Sequence, residues 1–323
     1  MNYLITGGAG FIGSNIAKRL VAEGESVRII DNFSTGKKRN IDDIRDKSEL
    51  IDGDIRDAET VLMAVRDMDF IIHHAALPSV PRSIKDPIES NSVNITGTLN
   101  LLHAAKKRGI KRFIYASSSS VYGDTSVLPK REDMSPNPQS PYAVTKLTGE
   151  YYCNVFYKVF GIPTVSLRYF NVFGPHQDPE SQYAAVIPRF IIAILNQKNP
   201  VVYGDGEQSR DFTFVDNIVE ANFLSCKNDG VSGKIFNIAC GERFTINRLL
   251  KELYSLTDKE GNPVYTDPRS GDIRHSQADI RSAREIIGYE PKVDFKEGLK
   301  KTVEWFKIES RDKKMGDIRN PNI

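Results

Sequence analysis

The chain has little cysteine: three residues in 323, with Cys153, Cys226 and Cys240 odd in number and far apart. That spacing argues against a disulfide framework and predicts a reducing, cytoplasmic setting. There is no Cys-x-x-Cys. The five histidines are scattered except for His73 and His74, neighbours that a strand would point to opposite faces, so no metal site is expected. An excess of one charge is also missing, since 44 basic residues face 42 acidic ones for a formal net charge of +2. The chain therefore offers neither a broad basic face for nucleic acid nor an acidic tail. Nowhere do about 18 apolar residues run uninterrupted. The opening MNYLITGGAG lacks a basic segment followed by a sustained apolar stretch. The expectation is a protein that is neither secreted nor membrane-spanning.

At 40% hydrophobic and 27% charged residues, the composition is that of an ordinary globular protein with room for one large domain or two unequal ones. Short apolar runs alternate with stretches of helical period. YLIT is followed by the segment 14–22, then VRIID at 27–31, ELID at 49–52 and DFIIHHAA at 69–76. A helix-like run at 91–107 precedes RFIYASS at 112–118, and TVSLRYF follows at 164–170. The alternation predicts an α/β fold with a buried parallel sheet. Val144, Leu147, Tyr151 and Val155 mark one apolar stripe of a long helix.

Beyond Gly174 the rhythm changes. Pro175, Pro179, Pro188 and Pro200 interrupt it, and the strand-like pieces PVVYG and KIFNIA are short. The expected division is a doubly wound domain at 1–174, a smaller mixed α/β lobe at 175–310 with some segments returning to the main sheet, and a fraying tail at 311–323.

TGGAGFIG follows the first strand directly, with glycines at Gly7, Gly10 and Gly13. One glycine lets the backbone turn, another lets it approach a pyrophosphate, and the last brings helix and strand together, while the helix N-terminus favours phosphate. Asp31 closes the second strand about 20 residues later, where a Rossmann-type site places its ribose-binding carboxylate. A carboxylate there accepts from a ribose 2′-hydroxyl and repels a 2′-phosphate, so NAD is expected over NADP. Lys37, Lys38 and Arg39 could neutralise such a phosphate, but are expected to form a solvated loop. In GDIRD, Asp54 and Ile55 are placed beside the adenine, with a turn and helix cap as the alternative.

YAVTK at 142–146 sets Tyr142 and Lys146 four residues apart, on one face of a helix. Ser117 to Ser120 stand at the carboxyl end of a predicted strand, the edge where ligands bind in this architecture. TGGAGFIG, SSSSVYG, YAVTK and RYFNVFGP, in this order and at these distances, resemble the extended short-chain dehydrogenase/reductase family, and within it the nucleotide-sugar 4-epimerases. The resemblance extends from the first strand to about Trp305.

That resemblance implies Tyr142 as acid/base, Lys146 as its partner and Ser118 as the third catalytic member. It adds Phe11, Ile12, Asn32, Gly36, Ala75, Ala76, Leu77, Asn94, Ala116 and Tyr169 to the cofactor contacts. Substrate contacts are implied at Ser79, Ser119, Ser120, Gln177, Ala185, Val186 and Asp272, with Arg210, Arg269 and Asn171 at the diphosphate and Tyr203 beside uracil. Pro78 stands where relatives often carry glycine or lysine, which stiffens the loop before Ser79. The implied chemistry is a UDP-hexose 4-epimerisation in which NAD is regenerated each turnover. A free phenol titrates near 10, and ionising it at neutral pH takes about 4 kcal/mol of help from positive charge.

By the same resemblance, a small residue at Ser276 in RHSQAD admits an N-acetyl group, which favours UDP-N-acetylglucosamine and its galacto partner while leaving UDP-glucose possible. A homodimer through a four-helix bundle is also implied. Two alternatives stand: a related enzyme that decarboxylates, dehydrates or epimerises another nucleotide sugar, and a non-catalytic NAD-binding regulator on the same fold.

Overall fold

A computed structural model describes residues 1–179, 185–268 and 273–319, with side chains described through residue 310. The alternation in the sequence becomes β1 (Asn2–Thr6), α1 (Phe11–Ala22), β2 (Ser26–Asp31), β3 (Glu49–Asp52), α2 (Ala58–Ala64) and β4 (Phe70–His73). Then follow α3 (Val80–Lys85), α4 (Pro87–Asn91), α5 (Gly97–Arg108), β5 (Arg112–Ser118), α6 (Pro141–Phe160) and β6 (Thr164–Tyr169). Helix boundaries have local causes. Asp57 caps α2 by accepting from Glu59 N, and Ser140 caps α6 by accepting from Ala143 N with Pro141 at the first position. Gly109 and Gly161 end α5 and α6 in the left-handed conformation. Between α4 and α5 the helix widens into a π-turn at Ser92–Thr96, a rare local expansion.

The remaining elements are β7 (Val172–Phe173), α7 (Val186–Leu195), β8 (Val201–Tyr203), β9 (Ser209–Arg210), β10 (Thr213–Phe214) and α8 (Val215–Lys227). They continue with β11 (Lys234–Ile238), β12 (Phe244–Thr245), α9 (Ile246–Thr257), β13 (Val264–Thr266), α10 (Arg281–Ile287) and α11 (Phe295–Arg319). The segment expected to fray from 311 thus carries helical backbone to Arg319.

The main sheet is parallel, seven strands in the order β11-β6-β5-β4-β1-β2-β3. The order reverses between β1 and β4, and ligands bind at such a switch point. KIFNIA, grouped by sequence rhythm with the C-terminal lobe, is β11 and pairs with β6 in the main sheet. One apolar core joins the sheet to α1, α8 and α10 through residues such as Ile16, Leu20, Ile218 and Ile287. A second joins it to α2, α5 and α6 through Val61, Leu101, Cys153 and Phe156. A third, rich in phenylalanine, holds the C-terminal lobe together around Phe173, Phe190, Phe212, Phe244 and Phe295.

The long helix is present, but its apolar stripe faces outward. Val144, Tyr151 and Val155 are exposed, whereas Ala143, Lys146, Gly149, Glu150 and Cys153 are buried against the sheet. The helix approaches so closely that a Cβ at Gly149 would lie 2.2 Å from the Tyr115 ring. No helix among the described residues is long and apolar enough to cross a membrane.

Candidate active site

The turn after β1 explains its own glycines. Gly7 has φ of +66° and a Cβ there would sit 2.8 Å from the Ala75 backbone, while a Cβ at Gly13 would sit 2.3 Å from the Gly7 carbonyl. Helix α1 starts with no side-chain cap and no acidic residue in its first turn, so its N-terminal N–H groups are available to an anion. Asp31 is buried, and its two carboxylate oxygens accept from Ala9 N at 2.9 Å and Phe33 N at 2.8 Å. Each oxygen keeps a further lone pair for a ribose hydroxyl. Burial pushes the Asp31 carboxyl upward against those two N–H bonds.

These groups line a cleft of about 860 Å³ that runs from the Gly-rich turn to Tyr142 and Lys146. Of the expected cofactor contacts, Gly7, Gly10, Phe11, Ile12, Gly13, Asp31, Asn32, Gly36, Asp54, Ile55, Ala75, Ala76, Leu77, Ala116, Tyr142, Lys146 and Tyr169 all line it. Asn94 does not. It is buried behind the wall, where its amide accepts from Leu77 N at 2.8 Å and donates to Thr145 Oγ1 at 3.0 Å. Lys37, Lys38 and Arg39 are each paired with a carboxylate: Asp178 at 3.0 Å, Asp52 at 3.8 Å and Glu309 at 3.3 Å. Their charge is already compensated, which suits NAD better than a 2′-phosphate. The Gly cradle, the Asp31 carboxylate and the cleft volume together fit NAD.

At the other end Tyr142 is partly exposed and Lys146 is buried. Lys146 Nζ donates to the Ala116 carbonyl at 2.8 Å and lies 5.9 Å from the Tyr142 ring centre. Burial pulls the ammonium down to about 8, opposed by the Glu150 carboxylate. Burial pushes the Tyr142 phenol up, and a hydrogen bond with Ser118 opposes it. The protein surroundings alone therefore keep the phenol protonated, in keeping with the expectation that ionising it takes more positive charge than one neighbouring cation supplies. Both groups lose water on entering the wall of the cleft, and desolvation outweighs their partners.

The four serines divide. Ser117 lines the cleft, whereas Ser118, Ser119 and Ser120 do not. Ser118 Oγ caps the 3₁₀ turn by accepting from Ser120 N at 3.1 Å, and Ser120 Oγ is buried without a partner among the described residues. Ser79 and Gln177 line the cleft. Ser79 has φ of 113°, strained for a residue with a side chain, and caps α3 by accepting from Arg82 N.

A second cavity of about 290 Å³ meets the first at Val172 and Ala185. Asn171, Val186, Tyr203 and Arg210 line it, as expected of a nucleotide-sugar pocket. Asn171 has φ of 33°, a left-handed turn that asparagine tolerates. Ser276 lines neither cavity; it is buried, with its N–H donating to the Ser209 carbonyl at 3.0 Å. Arg269 and Asp272 lie outside the described residues.

Several site residues were not anticipated. His74 stacks on Tyr169 with ring centres 5.7 Å apart in the cleft wall, and burial pulls it down to about 3. Ser83 Oγ accepts from Tyr142 N at 3.0 Å, and Gln208 lines the second cavity. Glu150 and Arg168 pair beneath Lys146; an arginine inside the core strand TVSLRY was the readable signal for them. No group of three potential metal ligands occurs among the described residues.

Fold and cleft define a dinucleotide-dependent enzyme of Rossmann architecture. The model of the NAD dependent epimerase/dehydratase family matches residues 3–239, and the chain belongs to that family and uses NAD. It is 38% identical over 312 residues to a putative UDP-glucose 4-epimerase of Methanocaldococcus jannaschii, covering 95% of this chain and 99% of that one. Among solved structures, a UDP-N-acetylglucosamine 4-epimerase from Methanobrevibacter ruminantium, in complex with UDP-N-acetylmuramic acid, is 44% identical with a TM-score of 0.92 over 95% of this chain and 98% of that one. A UDP-glucose 4-epimerase from Thermotoga maritima, with UDP-glucose, is 38% identical with a TM-score of 0.92 over 96% of this chain and all (100%) of that one.

Proposed function

We propose that this protein is a UDP-hexose 4-epimerase that interconverts UDP-N-acetylglucosamine with its galacto epimer, and also UDP-glucose with UDP-galactose. The observation that carries this reading is the meeting of the two cavities: the dinucleotide cleft, with Tyr142 and Lys146 in its wall, shares Val172 and Ala185 with the pocket of Asn171, Tyr203 and Arg210. A hexose linked to a nucleoside diphosphate bridges two such sites.

Tyr142 takes the proton from the C4 hydroxyl and later returns it. Ser118, bonded to the phenol, orients that transfer, and the Lys146 ammonium favours phenolate. When bound, oxidised NAD supplies further positive charge beside the phenol and a ring that accepts the C4 hydride and gives it back. Arg210, with Arg269 by resemblance, holds the diphosphate so that the 4-keto sugar can turn and present its other face to Tyr142. Support for the acetylated pair comes from the 44% identical UDP-N-acetylglucosamine 4-epimerase; the small Ser276 agrees with it by resemblance only, since it lines neither cavity.

The exposed Val144, Tyr151 and Val155 stripe supports a homodimer in which α5 and α6 of each copy form a four-helix bundle. Incubating the purified protein with each UDP-hexose and following product by NMR tests the activity. Appearance of the 4-epimer without added nucleotide is expected, and no conversion of any UDP-hexose overturns the reading.

A further inference from the structure

A charged pair lies buried directly beneath the reactive end of the cleft. Arg168 Nε and Nη2 donate to the two Glu150 carboxylate oxygens at 2.8 and 2.7 Å, and both side chains are almost completely inaccessible. Ser117 Oγ donates to the same carboxylate at 2.5 Å. Burying such a pair is expensive, and apolar residues of equal volume commonly stabilise a core as well or better. Stability alone is therefore a poor reason for a carboxylate at this point.

Its neighbours supply a better one. Tyr142, Lys146 and Glu150 follow one another at intervals of four along α6, one above the next. The strand end that Glu150 grips through Ser117 carries two groups of the site on either side: the Ala116 carbonyl, which accepts from Lys146, and Ser118, which bonds Tyr142. Glu150 thus touches the helix that bears Tyr142 and Lys146 and the strand that bears their partners. In the sheet, Ser117 pairs with Arg168 and Arg168 with Asn237, a row across β5, β6 and β11. Arg168 also lies 4.7 Å from the Tyr122 ring centre, and Tyr122 donates to Asn237 at 2.7 Å.

We propose that Glu150, clamped by Arg168 and Ser117, is a positioning residue that holds Lys146 charged and sets Ser117 and Ser118 against Tyr142. The groups around Lys146 leave it few alternatives. His73 at the end of β4 and His74 just after it are held neutral by burial and by Lys146 itself. Tyr115 on β5, Tyr169 on β6 and Cys153 on α6 are pushed up by burial, which keeps them protonated. Glu150 is the carboxylate that offsets the burial of the ammonium. The inference rests on the epimerase reading only for its kinetic readout.

The test uses the holoenzyme with Glu150→Gln, Glu150→Asp, Ser117→Ala and the double variant Glu150→Gln/Arg168→Met, which removes both members of the ion pair so that neither is left buried without the other. Glu150→Gln is expected to lower kcat about tenfold or more at unchanged KM and bound NAD. It should also move the alkaline limb of the pH profile down by about one pH unit, with Glu150→Asp restoring part of both. Ser117→Ala should lower kcat without moving the limb. The double variant should fold and keep the lowered limb, so it decides the matter if Glu150→Gln fails to fold. NMR titration of Lys146 in ¹³C-lysine-labelled protein, without any sugar, reads the same shift independently of which reaction is catalysed. A folded double variant with wild-type kcat and an unmoved Lys146 titration overturns the proposal and leaves the pair purely structural.

Discussion

The Tyr142 backbone N–H donates to the Ser83 hydroxyl at 3.0 Å, which ties the first turn of α6 to α3. Ser83 in turn donates to the Val80 carbonyl, so the phenol is mounted on a buried contact between two helices rather than on a free helix end. This rigidity makes a single-atom test of Tyr142 interpretable. Tyr142→Phe should keep fold, bound NAD and UDP affinity while losing about 100-fold or more in turnover. Near wild-type turnover would return Tyr142 to a structural role.

NAD should co-purify, because the proposed cycle returns the hydride it removes. Denaturing the purified protein and assaying the released nucleotide checks this; NADP alone, or an absolute need for added NADH, contradicts it. Asp31→Ala should reduce the NAD content by removing the ribose acceptor, with little change in the far-UV spectrum.

Activity should fall on the alkaline side as Lys146 loses its proton. Burial holds its value near 8, below the ordinary 10.5, so the ammonium is charged below that pH and neutral above it, and an ionised Tyr142 moves the limb upward. Lys146→Arg keeps the charge at every accessible pH. Its kcat profile should show a weakened alkaline limb even though its absolute rate is lower; an identical limb would mean that another group titrates there.

Removal of the outward stripe on α6 should break the proposed dimer. Wild type should sediment at twice the chain mass at micromolar concentration, and Tyr151→Lys with Val155→Asp should give monomer with bound NAD retained. A wild-type monomer mass rules the assembly out.

Substrate choice can be tested at Ser276. This residue is buried beside Ser209, next in the chain to Arg210 of the second cavity. Ser276→Tyr should abolish turnover of UDP-N-acetylglucosamine while sparing UDP-glucose, because overpacking a closed site costs roughly 1–3 kcal/mol or more. UDP affinity and the melting temperature are the controls. Equal loss on both sugars would mean a collapsed pocket, and unchanged N-acetyl turnover would place the determinant elsewhere, with Pro78 and Gln177 the next residues to vary.

Local chemistry was legible in the chain because it is short-ranged. The two-residue and 3.6-residue periods, the strand–TGGAGFIG–helix order and the Asp31 spacing each depend on neighbours within a few turns, and they placed the parallel sheet and the dinucleotide cleft. Sequence alone left the burial of α6 open, since a stripe of Val144, Tyr151 and Val155 carries the same pattern whether it faces a sheet or a second helix pair. Which face turned inward was decided by tertiary packing: Gly149 admits the Tyr115 ring, and Glu150 finds Arg168 across β6. KIFNIA joined the main sheet, and Ser117, Arg168 and Asn237 came into one row, only when strands distant in sequence set their register. A buried charge is stable where its partner is, and that partner lies 18 residues away along the chain, beyond the reach of any local pattern.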